Sequence, residues 1–179
     1  MRLLALDIAT ATGWGRWDRT LNRPHAGELK LQAKDEAGRY AEFDRWLRAT
    51  IVANSIDLLA FEEPVPQRTG KTNLNTLLIL HGLRTVALLV GKKLNIPMVE
   101  VNTQEWRAHF IGQRIAPKTV PVAKRSDWWK KQSIQRCEQL GWAVKSHNAA
   151  DALGILDFVR ARFDRSYGAT SGDLFRGAA

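Results

Sequence analysis

Alternating and continuous apolar segments along the chain predict five strands and five helices. The strands are predicted at LLALDIA, TGWGRWD, HAGELKLQ, IDLLAFEEP and IPMVEVN. The helices are predicted at residues 35–54, TNLNTLLILHGLRTVALLVGKKL, NTQEWRAHF, WWKKQSIQRCEQLG and SHNAADALGILDFVRARF. Short turns join the first three strands, whereas helices precede the later two. This order predicts an α/β fold with a mixed five-stranded sheet flanked by helices.

Length and composition indicate one domain. The chain has 179 residues, of which 45% are hydrophobic, and it shows no internal repeat. We expect a single domain over residues 1–165 and a loose tail over residues 166–179, which is rich in glycine, alanine and serine. Cys137 is the only cysteine in the sequence, which excludes an intramolecular disulfide and a multi-cysteine zinc site.

Hydropathy and net charge indicate where the protein is expected in the cell and which class of partner it binds. No apolar run approaches the ~20 residues of a membrane span, and the N-terminal run meets Asp7 too early for the core of a signal peptide. We therefore expect a cytoplasmic protein without a membrane partner. The net charge of +9 favours a polyanion such as nucleic acid, although a basic protein without such a partner would have the same composition.

Acidic residues interrupt three apolar segments where a protein core has no use for charge. Asp7 ends the first predicted strand, Glu62 and Glu63 end the fourth, and Asp151 lies among alanines in the last helix. Each has an ordinary alternative explanation, as a turn or helix cap or as a solvated residue at a strand exit. If the first and fourth strands are neighbours, however, these carboxylates meet at one edge of the sheet.

The chemistry expected of such an acidic cluster is metal binding. Carboxylates crowded in a medium of low dielectric constant repel one another, and a bound divalent cation is the usual remedy. Oxygen ligands without thiolates select magnesium or manganese. Two such ions about 4 Å apart can hold an attacking water and a leaving oxygen around one phosphodiester. The acids and the positive net charge together predict metal-dependent cleavage of nucleic acid.

The segments LALDIATATGWG, LLAFEEP and SHNAADALGIL resemble the motifs of the RuvC-type Holliday-junction resolvases, which belong to the ribonuclease H-like superfamily. The resemblance extends over about residues 1–160. It implies a ribonuclease H-like fold and a magnesium-dependent homodimer that cuts branched DNA, such as a four-way junction, symmetrically. Manganese would substitute for magnesium, and the host would be a bacterial or phage-infected cell.

By the same resemblance, Asp7, Glu62 and Asp151 are the catalytic acids and metal ligands. Glu62 is preferred because it directly follows the apolar run LLAF, whereas Glu63 would point to the opposite face of the strand.

The partner of Asp151 in the helix motif departs from the family pattern. Asn148 lies three residues earlier, where the family has Asp or His, and it offers a neutral oxygen in place of a charged ligand. His147 is the alternative metal ligand, because residues i and i+4 share a helix face. A solvated histidine at the start of the helix is the ordinary explanation.

Basic residues are the remaining candidates for the site. Lys131 matches a family lysine, and the resemblance gives it a catalytic role at the phosphate, although an exposed helix lysine is equally consistent. A basic segment around it is expected to bind DNA phosphates through Arg114, Lys118, Lys124, Arg125 and Lys130. Family members often carry an aromatic residue just after the fourth-strand acid; here EEPVPQRTG has none, and Arg68 and Lys71 are the candidate DNA contacts.

Two further features have open interpretations. Trp128 and Trp129 lie within the basic segment and are candidates for stacking on an unpaired base, but one of two adjacent tryptophans commonly faces the core. The long helix over residues 74–94 is, by the resemblance, a dimer helix. Its periodicity does not distinguish a dimer face from a core face.

Two other classes of protein remain as alternatives. Actin-like and sugar-kinase ATPases also begin with a strand, an Asp and a Gly/Thr turn, but they need a second such unit, for which this chain is too short. A module of the same fold that binds branched DNA without cutting it is permitted by Asn148. A broader branched-DNA or flap nuclease is the remaining variant of the enzyme.

Overall fold

The computed structural model describes residues 1–63, 74–164 and 167, and within them it contains all of the predicted strands and helices. The strands are Leu3–Asp7 (β1), Ala11–Trp17 (β2), His25–Lys30 (β3), Leu58–Glu62 (β4) and Met98–Val101 (β5). The helices are Glu36–Ala53 (α1), Leu74–Lys93 (α2), Thr103–Phe110 (α3), Arg125–Gln139 (α4) and His147–Phe163 (α5). Helix α4 begins before the predicted start at Trp128, and a short 3-10 helix at Val122–Lys124 precedes it.

The five strands form one mixed sheet in the order β3-β2-β1-β4-β5. Strands β1, β2 and β3 form an antiparallel meander, and β4 and β5 are added in parallel to β1. The predicted mixed sheet is therefore confirmed, and β1 and β4 are neighbours. Because adjacent parallel strands end at the same edge of a sheet, the last residues of β1 and β4 lie side by side.

Side-chain alternation along the central strands determines which residues face which helices. Leu4 and Leu6 of β1 pack with the buried residues of α1 and α2 on one face of the sheet. Ala5 faces the other way and packs with the buried residues of α3, α4 and α5. Because side chains alternate along a strand, Asp7 belongs to the α5 face. Glu62 belongs to the same face, since it follows the residue paired with Leu6.

Helix α5 lies directly against β2 because glycine occupies the contact. A Cβ atom at Gly13 would lie 1.9 Å from the backbone oxygen of Asn148. At Gly15 the nearest neighbour of such an atom is the side-chain Cδ2 of Leu153, at 3.1 Å. The glycines of the TGWG segment therefore set the position of the N-terminal turns of α5, which carry the last acidic motif.

Helix α2 exposes much of its apolar surface. With a mean hydropathy of 1.5 it is long and apolar enough to cross a membrane by length and composition alone, contrary to the expectation from the apolar runs. It packs beside α1 and buries one side in the core, as the core helix of a soluble protein also does. However, 22% of its apolar window is buried, and Leu74, Leu78 and Leu89 are at least half exposed on one face. We call these three residues the α2 leucine stripe.

One residue of the predicted tail packs on the domain. The hydroxyl of Tyr167 donates a hydrogen bond to Asp157, and its ring centre lies 4.4 Å from the guanidinium carbon of Arg160. The same guanidinium covers the ring of Trp17 at 3.6 Å. Tyr167 is thus ordered against α5; the rest of residues 165–179 lies outside the described residues.

We expect Gly13→Ala to lower the free energy of unfolding by about 2–4 kcal/mol, because the new methyl group fits only if α5 moves. Gly15→Ala is the control with a milder contact: its methyl group would lie 3.1 Å from Leu153 Cδ2 and 3.3 Å from the backbone oxygen of Ala152, and we expect a smaller cost, about 1 kcal/mol. Urea unfolding followed by circular dichroism measures both. Equal stability of the two variants would contradict the close approach of α5 to β2.

Candidate active site

Three carboxylates lie within electrostatic range of one another at the carboxyl ends of β1 and β4. Asp7 and Glu62 are the last residues of these adjacent strands, and Asp151 approaches from α5 on the same face of the sheet. Burial raises the pKa of Asp7 well above its ordinary value, and the nearby charges of Asp151 and Glu62 raise it further. The structure thus brings together the three acids that the sequence singled out.

Asp151 is the acid with an unused buried oxygen. Burial raises its pKa to about 6, and the charge of Glu62 contributes to the increase. The Ser133 hydroxyl on α4 lies close enough to Asp151 to lower its pKa somewhat. The geometry between this hydroxyl and Asp151 Oδ1 is nevertheless not that of a hydrogen bond. Asp151 Oδ1 is buried without a hydrogen-bond partner in the part of the chain that the structure describes. A buried acidic oxygen without a donor is available to a ligand.

Glu62, and not Glu63, is the acid that β4 contributes to the cluster. Its carboxylate accepts a hydrogen bond from the Thr103 hydroxyl and a long one, 3.5 Å, from the indole Nε1 of Trp106. Glu63 is exposed and belongs to the opposite face of the strand. Thr103 and Trp106 lie on α3, so this helix orients the Glu62 carboxylate.

Arg107 on α3 is a member of the cluster that the sequence did not reveal. Its charge lowers the pKa of both Asp7 and Asp151 and so opposes the effect of burial. The guanidinium carbon lies 4.7 Å from the ring centre of Trp129 and 5.3 Å from that of Trp106. The place of Arg107 in the chain could have identified it. Helix α3 directly follows β5, which is parallel to β4, so α3 begins at the edge of the sheet where the acids lie.

Lys130, rather than Lys131, is the lysine whose charge acts on Asp151, and its amino group also lies 3.8 Å from the Asp127 carboxylate. The charge of Lys130 opposes the rise in the pKa of Asp151, and together with burial it lowers the pKa of His147. Lys131 is exposed and lies in a groove on another side of α4, which Glu138 also lines. Because consecutive helix residues point about 100° apart, the two lysines lie on different sides of α4, and the catalytic role of Lys131 stays a prediction.

The side-chain amide of Asn148 is engaged by β2 and β3. Its Nδ2 atom donates hydrogen bonds to the backbone oxygen of Ala11 (2.8 Å) and to the carboxylate of Glu28 (3.2 Å). Hydrogen bonds from Ser146, and then from Asn148 and Lys30, lower the pKa of Glu28. Glu28 is therefore a fourth acid beside the cluster. The sequence did not single it out because it interrupts no apolar run.

The acids form an open arrangement rather than a preformed cage. Among the residues that the structure describes, no three His, Cys, Asp or Glu side chains are close enough together to enclose a metal ion. The donors at the cluster are nevertheless oxygens, which hard divalent cations prefer, and Asp151 Oδ1 is buried without a donor. Asn148 and His147 stay predicted ligands, with their present contacts directed towards β2, β3 and α4.

The basic residues expected to bind DNA lie mainly between α3 and α4. Three are exposed there, namely Arg114, Lys118 and Lys124. Arg125, at the start of α4, donates from Nε to the backbone oxygen of Val120 over 3.4 Å, while Lys130 faces the acids. The two candidates after β4, Arg68 and Lys71, lie outside the described residues.

The paired tryptophans have different surroundings. Trp128 and Trp129 contact each other edge to face, with 4.6 Å between ring centres. Trp129 covers the guanidinium of Arg107, whereas Trp128 lines the open groove on α4. Trp129 therefore has a partner within the protein, and Trp128 is the ring with space beside it.

No protein-family model matches the chain, and no curated protein matches it. Solved structures do match. Thermus thermophilus RuvC has a TM-score of 0.64 at 15% identity, over 96% of this chain and 97% of that one. The T. thermophilus RuvC complex with a Holliday junction substrate has a TM-score of 0.65 at 13% identity, over 96% of both chains. Fowlpox virus resolvase, solved with its substrate Holliday junction DNA, has a TM-score of 0.51 at 13% identity, over 92% of this chain and 100% of that one.

These similarities identify the fold. The chain has the ribonuclease H-like fold of the RuvC-type resolvases over nearly its whole length. At 13–15% identity the similarity establishes the fold and no activity.

We expect Asp151→Asn to raise the free energy of unfolding of the metal-free protein at pH 8, by the order of 1–3 kcal/mol. The folded-state pKa of about 6 exceeds the ordinary value of 3.8, so ionisation of Asp151 destabilises the fold as the pH rises through this window. The gain should be small at pH 4. Urea unfolding with a chelator at the two pH values measures it.

Asp57→Asn is the control with the opposite sign. Hydrogen bonds from Arg2 lower the pKa of Asp57, so its ionised form stabilises the fold above pH 4. This substitution should lower stability at pH 8. A loss of stability in Asp151→Asn at pH 8 would contradict the charge crowding described above.

Proposed function

We propose that this chain is a metal-dependent endonuclease that resolves four-way DNA junctions by paired, symmetric cleavage. The observation that carries the proposal is the convergence of Asp7, Glu62 and Asp151 at one sheet edge, in a chain with a net charge of +9. Two of the similar solved structures contain Holliday junction DNA as substrate, and one of these two is named a resolvase. This supports branched DNA as the substrate.

Magnesium is the proposed cofactor, with manganese as a substitute. The carboxylates of Asp7, Glu62 and Asp151 would hold the cation, with Asn148 or His147 as a further ligand. A cation fits these residues because they crowd negative charge into a partly buried site of oxygen donors. When bound, the metal supplies Lewis-acid stabilisation of charge at the phosphodiester and activation of a water molecule.

Arg107 and Lys130 are the cations proposed to bind the scissile phosphate. Both lie close enough to Asp151 for their charges to act on it, and the guanidinium of Arg107 is held beside the ring of Trp129. A guanidinium fixed in this way presents its N–H groups to phosphate oxygens in a defined orientation. We prefer Lys130 to Lys131 for the phosphate role, because Lys131 is exposed in the groove on α4 that Trp128 and Glu138 also line.

The exposed basic segment between α3 and α4 would extend the phosphate contacts along the DNA arms. Such contacts release counterions, so we expect the affinity for DNA to fall steeply as the salt concentration rises. Trp128 is the proposed stacking residue for an unpaired base at the branch point, because it lines an open groove beside that segment.

Paired cleavage requires two active sites, and the α2 leucine stripe is the surface proposed to join two copies. Exposed apolar patches on a folded domain commonly mark interfaces. A two-fold symmetric contact uses the same patch on both copies, which suits a single helix face that repeats its leucines. Burying the stripe in a dimer would also explain an apolar helix that the domain itself covers so little.

Two alternatives to a junction resolvase remain, a module that does not cleave DNA and a nuclease with a wider range of substrates. The open arrangement of the acids, together with the neutral Asn148, favours a module that binds branched DNA without cutting it. A nuclease with broader selectivity for flaps and forks would use the same acids. Cleavage of different substrates by one set of variants distinguishes these possibilities.

We expect the chain to nick a labelled four-way junction at symmetric positions in magnesium, and Glu62→Gln to lower the rate by about 10²-fold or more. The reason is that glutamine removes a charge from the proposed metal ligands. Glu63→Gln is the matched control, because it makes the same change at an exposed residue one position away. Its rate should stay within about threefold of the parent chain.

The outcomes separate the candidate functions. Binding of the junction without nicks, in magnesium and in manganese, would leave the non-cleaving module. Equal loss of activity in Glu62→Gln and Glu63→Gln would contradict the assignment of the β4 ligand. Cleavage of flaps at the rate of junctions would identify the broader nuclease.

We expect Leu78→Lys to convert the dimer to a monomer in analytical ultracentrifugation, because a charge in an apolar interface lacks a partner. Val52→Lys is the control, since it changes a similarly exposed apolar residue on α1. A parent chain that sediments as a monomer at micromolar concentration would rule out this surface as a stable dimer contact.

A further inference from the structure

The hydrogen bonds of the Asn148 amide determine which of its ends faces β3. Nδ2 lies 2.8 Å from the backbone oxygen of Ala11 and 3.2 Å from Oε2 of Glu28. A backbone carbonyl and an ionised carboxylate only accept hydrogen bonds, so the NH₂ end of the amide has to face them. The carbonyl oxygen, Oδ1, is thereby turned away from Glu28.

Glu28 is held as an acceptor in this contact. Its side chain is 17% exposed, and one carboxylate oxygen lies 3.5 Å from Nζ of Lys30. The carboxylate therefore accepts from the Asn148 amide on one side and lies near the Lys30 ammonium on the other. The Ser146 hydroxyl also caps α5 by accepting a hydrogen bond from the backbone amide of Ala149. Glu28 thus ties β3 to the start of α5.

The sheet order places Asp7 on the side away from Glu28. Strand β2 lies between β3, which carries Glu28, and β1, which ends at Asp7. The backbone of Asn148 lies directly over Gly13, the β2 residue paired with Asp7. Within the described part of the chain, the hydrogen bonds of the Asn148 side chain are those that it donates. Its carbonyl oxygen therefore accepts no hydrogen bond within the described residues, and the sheet order puts Asp7 on the side of Asn148 opposite to Glu28.

We propose that Glu28 is a positioning residue that holds the Asn148 amide with its neutral carbonyl oxygen towards the cation bound by Asp7 and Asp151. The inference rests on the proposed function, because it concerns the same site. It also gives a physical reason for asparagine at this position. An aspartate at position 148 would direct a carboxylate oxygen at two acceptors, the Ala11 carbonyl and the Glu28 carboxylate, and would be repelled by both.

The test is a double-substitution cycle with Mn²⁺ as the probe and calorimetric affinity, without DNA, as the readout. We expect Glu28→Gln to weaken Mn²⁺ binding about tenfold, because glutamine can donate as well as accept and no longer fixes the amide of Asn148. Asn148→Asp should weaken binding while Glu28 is present. In the Glu28→Gln background the same change should strengthen binding, because the glutamine amide donates to the new carboxylate.

The opposite effects of Asn148→Asp on Mn²⁺ affinity in the two backgrounds distinguish a positioning role of Glu28 from an effect of net charge alone. If only net charge mattered, Asn148→Asp would strengthen Mn²⁺ binding by the same factor in both backgrounds, and this additive result would overturn the inference. Glu138→Gln is the control, since it removes one negative charge from an exposed position on α4. Its Mn²⁺ affinity should stay within about twofold of the parent chain.

Urea unfolding of each variant checks that the variant is folded before its Mn²⁺ affinity is compared with that of the parent chain. If Asn148→Asp does not fold, Glu28→Gln alone decides, and an unchanged Mn²⁺ affinity in that variant overturns the inference. Failure of the parent chain to bind Mn²⁺ would overturn both the proposed function and the inference. Binding by the parent chain with an additive cycle would overturn the inference alone.

Discussion

Repulsion among three carboxylates at one edge of the sheet is the constraint on which the rest of this structure depends. The strands that carry Asp7 and Glu62 are buried between two layers of helices, so their last residues are only partly exposed to water. Burial is the main cause of the raised pKa values of Asp7 and Asp151, and the charges of the neighbouring acids raise them further. The groups around the acids, above all the guanidinium of Arg107, offset the repulsion without removing it. A fold that keeps charge where it is unfavourable is organised for a ligand of opposite charge.

The short helix α3 contributes residues both to the hydrophobic core and to the acidic cluster. On α3, Thr103 orients the Glu62 carboxylate, Trp106 is fully buried, and Arg107 extends to the acids. The ring of Trp106 lies so close to α5 that a Cβ atom at Gly154 would be 2.6 Å from it. The position of the arginine is therefore determined by core packing. An eight-residue helix could not hold it by its own stability.

Hydrophobic spacing predicted the order of strands and helices and the mixed sheet, because those features depend on local periodicity. Alternation along β4 also distinguished Glu62 from its neighbour. Arg107 and Glu28 escaped prediction because each acts through contacts between elements far apart in the chain; Glu28 lies 120 residues from its partner on α5. The choice of Lys131 over Lys130 came from similarity to a motif, and a shift of one residue on a helix changes the direction of the side chain completely.

The burial of α5 also determines how the acidic cluster moves. Almost every residue from 149 to 159 is buried, and the helix contacts the sheet along its length. Backbone amides in such an element exchange with solvent mainly when the whole domain opens. Asp151 therefore lies on a slowly exchanging part of the chain. The segment between α3 and α4, with exposed Ile115 and Val122, can open with little loss of buried surface. We therefore expect the backbone amides of the basic segment between α3 and α4 to exchange faster than those beneath Asp151.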